Sequence, residues 1–420
     1  MSNLKRFDEF LKQDGPVALV LRQHLMPVEG QDGVVFPATY AAGGNFPGGY
    51  NIDSFENKTN VALIDSIGSQ ANRIEPIFAE EDYKHLIPQI SVTVGVKQIS
   101  ILEAGHRAGD AIVRCSSLAP TLQDAFKAVL SGSAEPIAKI APTSLVFGVW
   151  DSRDTQVKLP RVFASTIRAF EVRRLTRSAQ YNPPIDYSTL EVFSEEEKAK
   201  AEGDTKNPLA KRGFVHVPAI GSHGGVIADG GIRRDATLSL AALRLLHVGN
   251  DQDRTLALRR YILGLSLIAI TYPPAGYLRQ GCLLVLNPSK ANENEFVEVQ
   301  SSGERKPCNL THDEAKKYAT EAAIAFGVGP SQTVPFEKER AKRDVSGVAA
   351  ENGMIDGKIT KVESESITIK RGKKDTPVTV GSETKYFLGD AESNYELVVV
   401  KGKSVEAEVA NGVAVKITSK

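Results

Sequence analysis

The chain has little sulfur, little tryptophan and no surplus of charge. Its 420 residues include three cysteines, three methionines and one tryptophan, and 51 Lys and Arg are balanced by 51 Asp and Glu. Cys115, Cys282 and Cys308 are odd in number and far apart, which excludes a disulfide framework and leaves no pair at metal-ligand spacing. A reducing cytosol is the natural setting for such cysteines. Charge balance argues against indiscriminate polyanion binding but leaves local basic patches open. The N-terminus, MSNLKRFDEFLKQDG, is charged and lacks the apolar stretch of a signal peptide. The longest apolar run, YILGLSLIAITY at 261–272, is well short of the ~20 residues needed to cross a bilayer, and reads as a buried helix or a helix running into a strand. The sequence therefore predicts a cytoplasmic protein with no membrane contact, of two or three domains on a prior of about 150 residues each.

Catalytic signatures are also missing. GGNFPGG (43–49) and GSHGG (221–225) are glycine-rich, but neither matches GxxxxGKS/T or GxGxxG in a strand–helix context. Their glycines are better suited to sharp turns or to close approach of a bulky partner. His106 with Asp110, or His223, offers a general base or metal ligand in principle. No HExxH, CxxC or acidic cluster accompanies them, and a His–Asp pair one helical turn apart is more often a structural hydrogen bond. The expectation is a protein that is not an enzyme, with no catalytic residue, no metal and no cofactor.

Among what is present, residues 62–75 (ALIDSIGSQANRIE) stand out. Ile64, Ile67, Ala71 and Ile74 recur at helical spacing, which predicts an amphipathic helix. The other face holds Asp65, Ser66, Ser69, Gln70, Asn72, Arg73 and Glu75, several of them mediocre helix formers. Such a face suits specific hydrogen bonds to a ligand or neighbouring chain, or a polar network under a loop. From Arg153 to Arg177 the chain carries Arg153, Arg161, Arg168, Arg173, Arg174, Arg177 and Lys158 against only Asp154 and Glu171. Arginine suits bidentate phosphate contact, and the interleaved Trp150 and Phe163 could stack on bases. Arg233 and Arg234 follow in a later glycine-rich region.

Further along, the patterning predicts helices at 4–12, 103–116, 121–131, 237–247 and 255–270. Strands are expected at 17–25, 90–96, 98–102 and 143–150. Residues 181–212 (Pro183-Pro184, then the acidic block Glu195–Glu197) read as a surface excursion, mobile or ordered only by a partner. Residues 331–354 read as a charged connector, and the alternating runs of 355–420 predict a small closed β-barrel.

DSIGSQANRIE (65–75), LEAGHRAGDAIVR (102–114), SLVFGVWDSR (144–153), RVFASTIRAFEV (161–172) and GSHGGVIADGGIRRDATLSLAALRLL (221–246), taken in order, resemble a CRISPR-associated family. It is the backbone subunit of type I-G (formerly I-U) surveillance complexes, the Csb-one branch of the Cas-seven family within the RAMP superfamily. The resemblance covers roughly 15–290. It implies an α+β fold: an RRM-like (ferredoxin-type) palm with finger and thumb insertions over 1–330, here followed by the connector and the small C-terminal β-barrel. Residues 181–212 would be the thumb-like element. It further implies a non-catalytic subunit that polymerises along CRISPR RNA and presents the guide for pairing with target DNA. Its partners would be CRISPR RNA, target DNA, copies of itself, a large subunit, a Cas-five/Cas-six-type subunit and a recruited helicase–nuclease. Candidate contacts to RNA or the next protomer are Gln70, Asn72, Arg73, His106, Arg107, Arg153, Lys158, Arg161, Arg168, Arg233 and Arg234. The alternative is a metal-dependent endoribonuclease of the same superfamily, acting on target RNA through Asp65, His106 or Asp110.

Overall fold

The computed structural model describes residues 3–273, 276–346, 353–372, 374–410 and 413–419. The chain divides into two units: Met1–Ile90, Ile101–Ala108 and Gln123–Gln332 form one, and Ser91–Ser100, Gly109–Leu122 and Thr333–Lys420 the other. The architecture is mixed α+β.

In the first unit the strands are β1 (Ala18–Pro27), β2 (Asn60–Asp65), β3 (Phe163–Phe170), β4 (Val172–Tyr181), β5 (Val217–Ala228), β6 (Ile232–Ser239), β7 (Cys282–Leu286) and β8 (Glu295–Val299). The helices that matter are α1 (Ile67–Ile74), α2 (Thr143–Phe147), α3 (Gln252–Thr271) and α4 (His312–Phe326). The central sheet runs β7-β1-β6-β3-β2 with every neighbouring pair antiparallel, and β8 also pairs with β1. Helix α1 packs on β3, and α3 on β3 and β6. Strand alternation decides what meets the helices. On β6, Ile232, Arg234, Ala236 and Leu238 are buried, while Arg233, Asp235, Thr237 and Ser239 face the other way.

The apolar run at 261–272 lies in α3, which is buried on all sides because the sheet covers one face and α4 another. Gly264 permits that approach: a Cβ there would sit 2.8 Å from Ala319 Cα. Tyr261 stacks on Phe326 with ring centroids 4.7 Å apart.

Several local expectations need correction. Ala62–Asp65 end strand β2, and only from Ile67 is the chain helical, with the Ser66 side chain accepting from Ser69 N. Ile64 fits both the helical spacing of Ile67, Ala71 and Ile74 and a strand's alternation with Ala62, and Ala62 and Ile64 are fully buried. The region 103–116 is a series of short turns and the four-residue helix Ala111–Arg114, because Arg107 takes a positive φ of 51°. Residues 143–147 are helical, and Gly148 at φ 81° breaks into the short strand Val149–Trp150. Residues 237–239 belong to β6. At the N-terminus the turns are 3-10, at Asn3–Lys5 and Asp8–Leu11.

The second unit contains the hairpin Ile90–Val94/Lys97–Ser100, joined by Gln332–Pro335 as a third strand, and the helix Lys338–Ser346. Part of the expected connector is thus a strand and a helix; its residues 347–352 lie outside the described residues. Residues 109–122 group with this unit through a bidentate Arg114–Asp344 pair and a bridge from Ser116 to Phe336. Strands β9 (Gly353–Glu363), β10 (Ser366–Arg371), β11 (Lys374–Leu388), β12 (Ser404–Ala410) and β13 (Val413–Ser419) form a barrel in the order β10-β9-β12-β13-β11, closed by β10 against β11. Ile359, Ile367, Ile369, Val378, Val405 and Ile417 fill it. Among the described residues no helix is long and apolar enough to cross a membrane.

Overpacking should expose the α3–α4 constraint. Gly264→Val is expected to lower unfolding stability by about 1–3 kcal/mol, read as a lower urea midpoint with unchanged m-value.

Candidate nucleic-acid interface

The polar face of α1 turns inward. Asp65, at the end of β2, is 1% exposed. Its carboxylate accepts from Ser69 Oγ (2.8 Å), Gln70 Nε2 (2.6 Å), Arg73 Nε (3.1 Å) and Arg279 Nη2 (2.9 Å). Gln70 Oε1 in turn accepts from Ser165 Oγ (2.9 Å), and Ser165 Oγ accepts from Arg234 Nε (3.1 Å). Arg234 Nη1 donates to Gln23 Oε1 at 3.1 Å. Burial lowers the Arg234 guanidinium to about 10, so it is still charged at neutral pH.

Of the candidate contact residues, Gln70, Arg107 and Arg234 are therefore withdrawn from any surface. Arg107 is buried against Glu75, Nε to Oε2 2.6 Å, and donates to Gly148 O. It is not on the surface of a helix, because the helix expected over 103–116 does not form. Arg73 is half-exposed with its Nε held by Asp65, and Asn72 and His106 are exposed. Arg153, Lys158 and Arg161 are exposed around the hairpin at 149–159, with Arg161 Nε donating to Phe147 O (2.9 Å). The endoribonuclease alternative loses Asp65, whose oxygens are committed inward, and Asp110 Oδ1 accepts from Ile112 N. Among the described residues no group of three or more His, Cys, Asp or Glu could hold a metal ion. His223 packs its ring on Tyr50 and over Gly49, where a Cβ would collide with it.

The remaining two candidates, Arg168 and Arg233, are cross-strand partners on the sheet face away from the helices, and His24 is opposite Arg233 on the next strand. One rung along, Arg22 lies opposite Asp235, which also accepts from Arg233 Nε at 3.0 Å. Arg168 donates to Thr166 Oγ1, and the Arg233 guanidinium sits 4.7 Å from the Phe170 ring centroid. Burial, together with nearby Lys290, Arg233 and Arg22, pushes His24 below the usual imidazole range, against the pull of Glu293. Arg22, His24 and Phe170 are not among the sequence candidates, although the alternation of Leu19–Leu25 places Arg22 and His24 on one face.

Beside this face the chain leaves the sheet. Glu171 adopts φ 50°, and the Asn60 side chain bonds both backbone groups of Val172, at 2.6 and 2.9 Å. From there β4 and β5 run as a two-stranded ribbon carrying exposed Arg173, Arg174 and Arg177. Arg173 is paired with Asp229, and both line a cavity of about 410 Å³ with Met26, Gly230 and Lys290. At the far end, residues 182–216 have a small set of packing contacts of their own. A capping box at Ser194/Glu197 starts the helix Glu195–Ala201, and Ala201, Ala210 and Val215 pack with Phe193 and Leu209. The acidic block that suggests a mobile excursion is the first turn of that helix, where carboxylates are favoured.

Residues 19–174, from β1 into β4, match the family model described as CRISPR-associated protein GSU0053. The match supports a CRISPR-associated protein with a role in CRISPR defence. No curated protein matches the chain. The matched span contains Asp65, α1, Arg168 and the first arginines of the ribbon; β6, with Arg233 and Arg234, lies beyond it.

Two measurements test the buried charges. Asp65→Asn should cost about 3–5 kcal/mol, since it removes the buried anion that holds Arg73 and Arg279 and leaves a neutral amide facing four donors, and denaturant titration reads this directly. Burial pushes the Glu75 carboxyl up to about 7. Because that is above the ordinary carboxylate value, the folded state holds this proton more tightly than the unfolded chain. The associated stability is complete below the unfolded value and is lost as pH rises through about 7. Thermal midpoints between about pH 5 and about pH 8.5 should therefore fall less steeply in Glu75→Gln than in the wild type.

Proposed function

We propose that the chain is the non-catalytic RNA-binding backbone subunit of a type I-G surveillance complex, working in the cytoplasm. In this reading copies polymerise along CRISPR RNA and present it for pairing with target DNA, alongside the large subunit, a Cas-five/Cas-six-type subunit and a recruited helicase–nuclease. The sheet order supports an RRM-like palm. Read across the sheet, β1, β3, β6 and β8 stand in the order β8-β1-β6-β3, which in chain order is fourth, first, third, second. Helices α1 and α2 fall in the first crossover and α3 in the second, which is the ferredoxin-type arrangement. The β4–β5 ribbon, inserted between β3 and β6, is then a thumb.

The observation that carries the reading is the row His24–Arg233–Arg168 across the open sheet face, with the ribbon arginines beside it. Guanidinium groups fixed by strand register suit phosphates at regular spacing and carry no base preference. Asp235 offsets part of the charge, which matches a neutral chain that holds one defined strand rather than any polyanion.

Arg168→Ala/Arg233→Ala is expected to weaken binding of all guide sequences alike. The slope of log K against log salt should flatten by about 0.7 for each phosphate that no longer meets a guanidinium. Anisotropy of dye-labelled single-stranded RNA across a salt series measures both. A weakening confined to particular sequences, or an unchanged slope, would refute the assignment.

A further inference from the structure

Trp150 is the chain's one tryptophan, and it is 57% exposed. It sits in a small hairpin, Val149–Trp150 paired with Lys158–Leu159. Alternation sends Val149 and Leu159 into the core, each 7% exposed, and sends Trp150 and Lys158 outward together. The Lys158 ammonium lies 5.8 Å from the indole centroid. Phe163, the other aromatic singled out as a stacking candidate, is core.

The hairpin is rigidly built. Asp151 is 2% exposed, and its carboxylate accepts from Asp154 N (3.3 Å), Thr155 N (2.8 Å) and Thr155 Oγ1 (2.7 Å). At the base, Gly148 allows Arg161 to close in; a Cβ there would meet Arg161 Cγ at 2.7 Å. Arg153 is exposed at the tip, and Asp154, the loop's other carboxylate, accepts from Gln123 Nε2. The chain thus holds a large apolar ring in water on a hydrogen-bonded support, with Lys158 at its edge and exposed Arg153 in the same loop. An indole face with a cation at its edge fits a base whose neighbouring phosphates are anionic. A protein partner would account for the ring but not for Lys158 at its edge and Arg153 exposed on the same hairpin.

We propose that Trp150 is a base-stacking post: one unpaired nucleobase of a bound single strand stacks on the indole, while Lys158 and Arg153 hold the flanking phosphates. This rests on the reading that single-stranded RNA lies on this chain.

The lone tryptophan makes the test site-specific. The full chain is titrated with a dye-labelled single-stranded RNA of mixed sequence, following dye anisotropy and tryptophan emission together. The expected result is quenching of emission that tracks the anisotropy rise, and little quenching by a duplex of the same sequence. Trp150→Ala should weaken binding roughly 5- to 100-fold, with Trp150→Phe recovering most of it. If anisotropy rises while emission stays constant and Trp150→Ala binds like the wild type, the post is refuted and the RNA-binding reading stands. If no RNA raises the anisotropy, both fall. If emission changes with protein concentration alone and RNA adds nothing, the ring is a contact between copies and the proposal is overturned. The wild-type emission arm does not depend on how any variant folds.

Discussion

The first unit depends on one buried carboxylate. Asp65 is out of solvent, and a carboxylate there costs several kcal/mol unless it is paired and hydrogen-bonded. Two guanidinium groups and two neutral donors meet that requirement, and they come from separate segments: Ser69, Gln70 and Arg73 from α1, and Arg279 from beyond α3. The chain continues through Gln70, Ser165 and Arg234 to Gln23, so β2, β3, β6 and β1 are joined beneath the helices by one polar network. Because a strand's side chains alternate with period two, holding Ser165 and Arg234 inward obliges Arg168 and Arg233 to point outward. The arrangement of the candidate RNA face is thus a consequence of how an anion is satisfied on the opposite side of the same sheet.

That outward face is only partly neutralised. Asp235 accepts from both Arg22 and Arg233, Glu295 lies 3.8 Å from Arg22, and Arg168 is bonded to a neutral hydroxyl. Exposed ion pairs of this kind contribute little to stability and are readily exchanged for phosphate. Cations pre-positioned by a rigid sheet lose less side-chain entropy on binding than lysines on a mobile loop. Lys158 beside Trp150 and Arg177 beside Phe36 repeat the motif of a cation next to an aromatic ring at other points on the surface.

Legibility in the sequence follows the range of the interaction. The barrel and the buried helix 252–271 are readable, since local alternation and a continuous apolar run determine them. The short polar-faced helix is readable but its start is not, because Ile64 fits both periods and only pairing of β2 with β3 decides between them. The mixed fate of the arginines is not readable at all. Arg233 and Arg234 are adjacent and chemically identical, yet one is outside and the other buried. Likewise Arg107 reads as a surface helix residue until Glu75, far away in sequence, is placed 2.6 Å from it. Charge composition names the residue type, and register and long-range pairing assign its side of the sheet.

The ribbon shows the same division of labour along its length. Two strands alone are marginally stable in water, so something other than their ladder must support β4 and β5. At the base Val172, Val226 and Ala228 enter the cluster of Val35, Tyr50 and Ile232, and Tyr50 Oη accepts from Gly225 N. At the far end the second cluster, around Ala201 and Val215, provides its own small core. Between the two, Thr176–Tyr181 are exposed on β4, and the ladder carries register shifts at Arg174/Thr176 and Arg177/Ala179. Apolar burial thus supports the ribbon at both ends, and the stretch between them rests on its backbone ladder. Arg177 lies within that stretch, while at the base the Asn60 side chain clamps Val172 to the sheet, so the ribbon leaves the sheet at a fixed point.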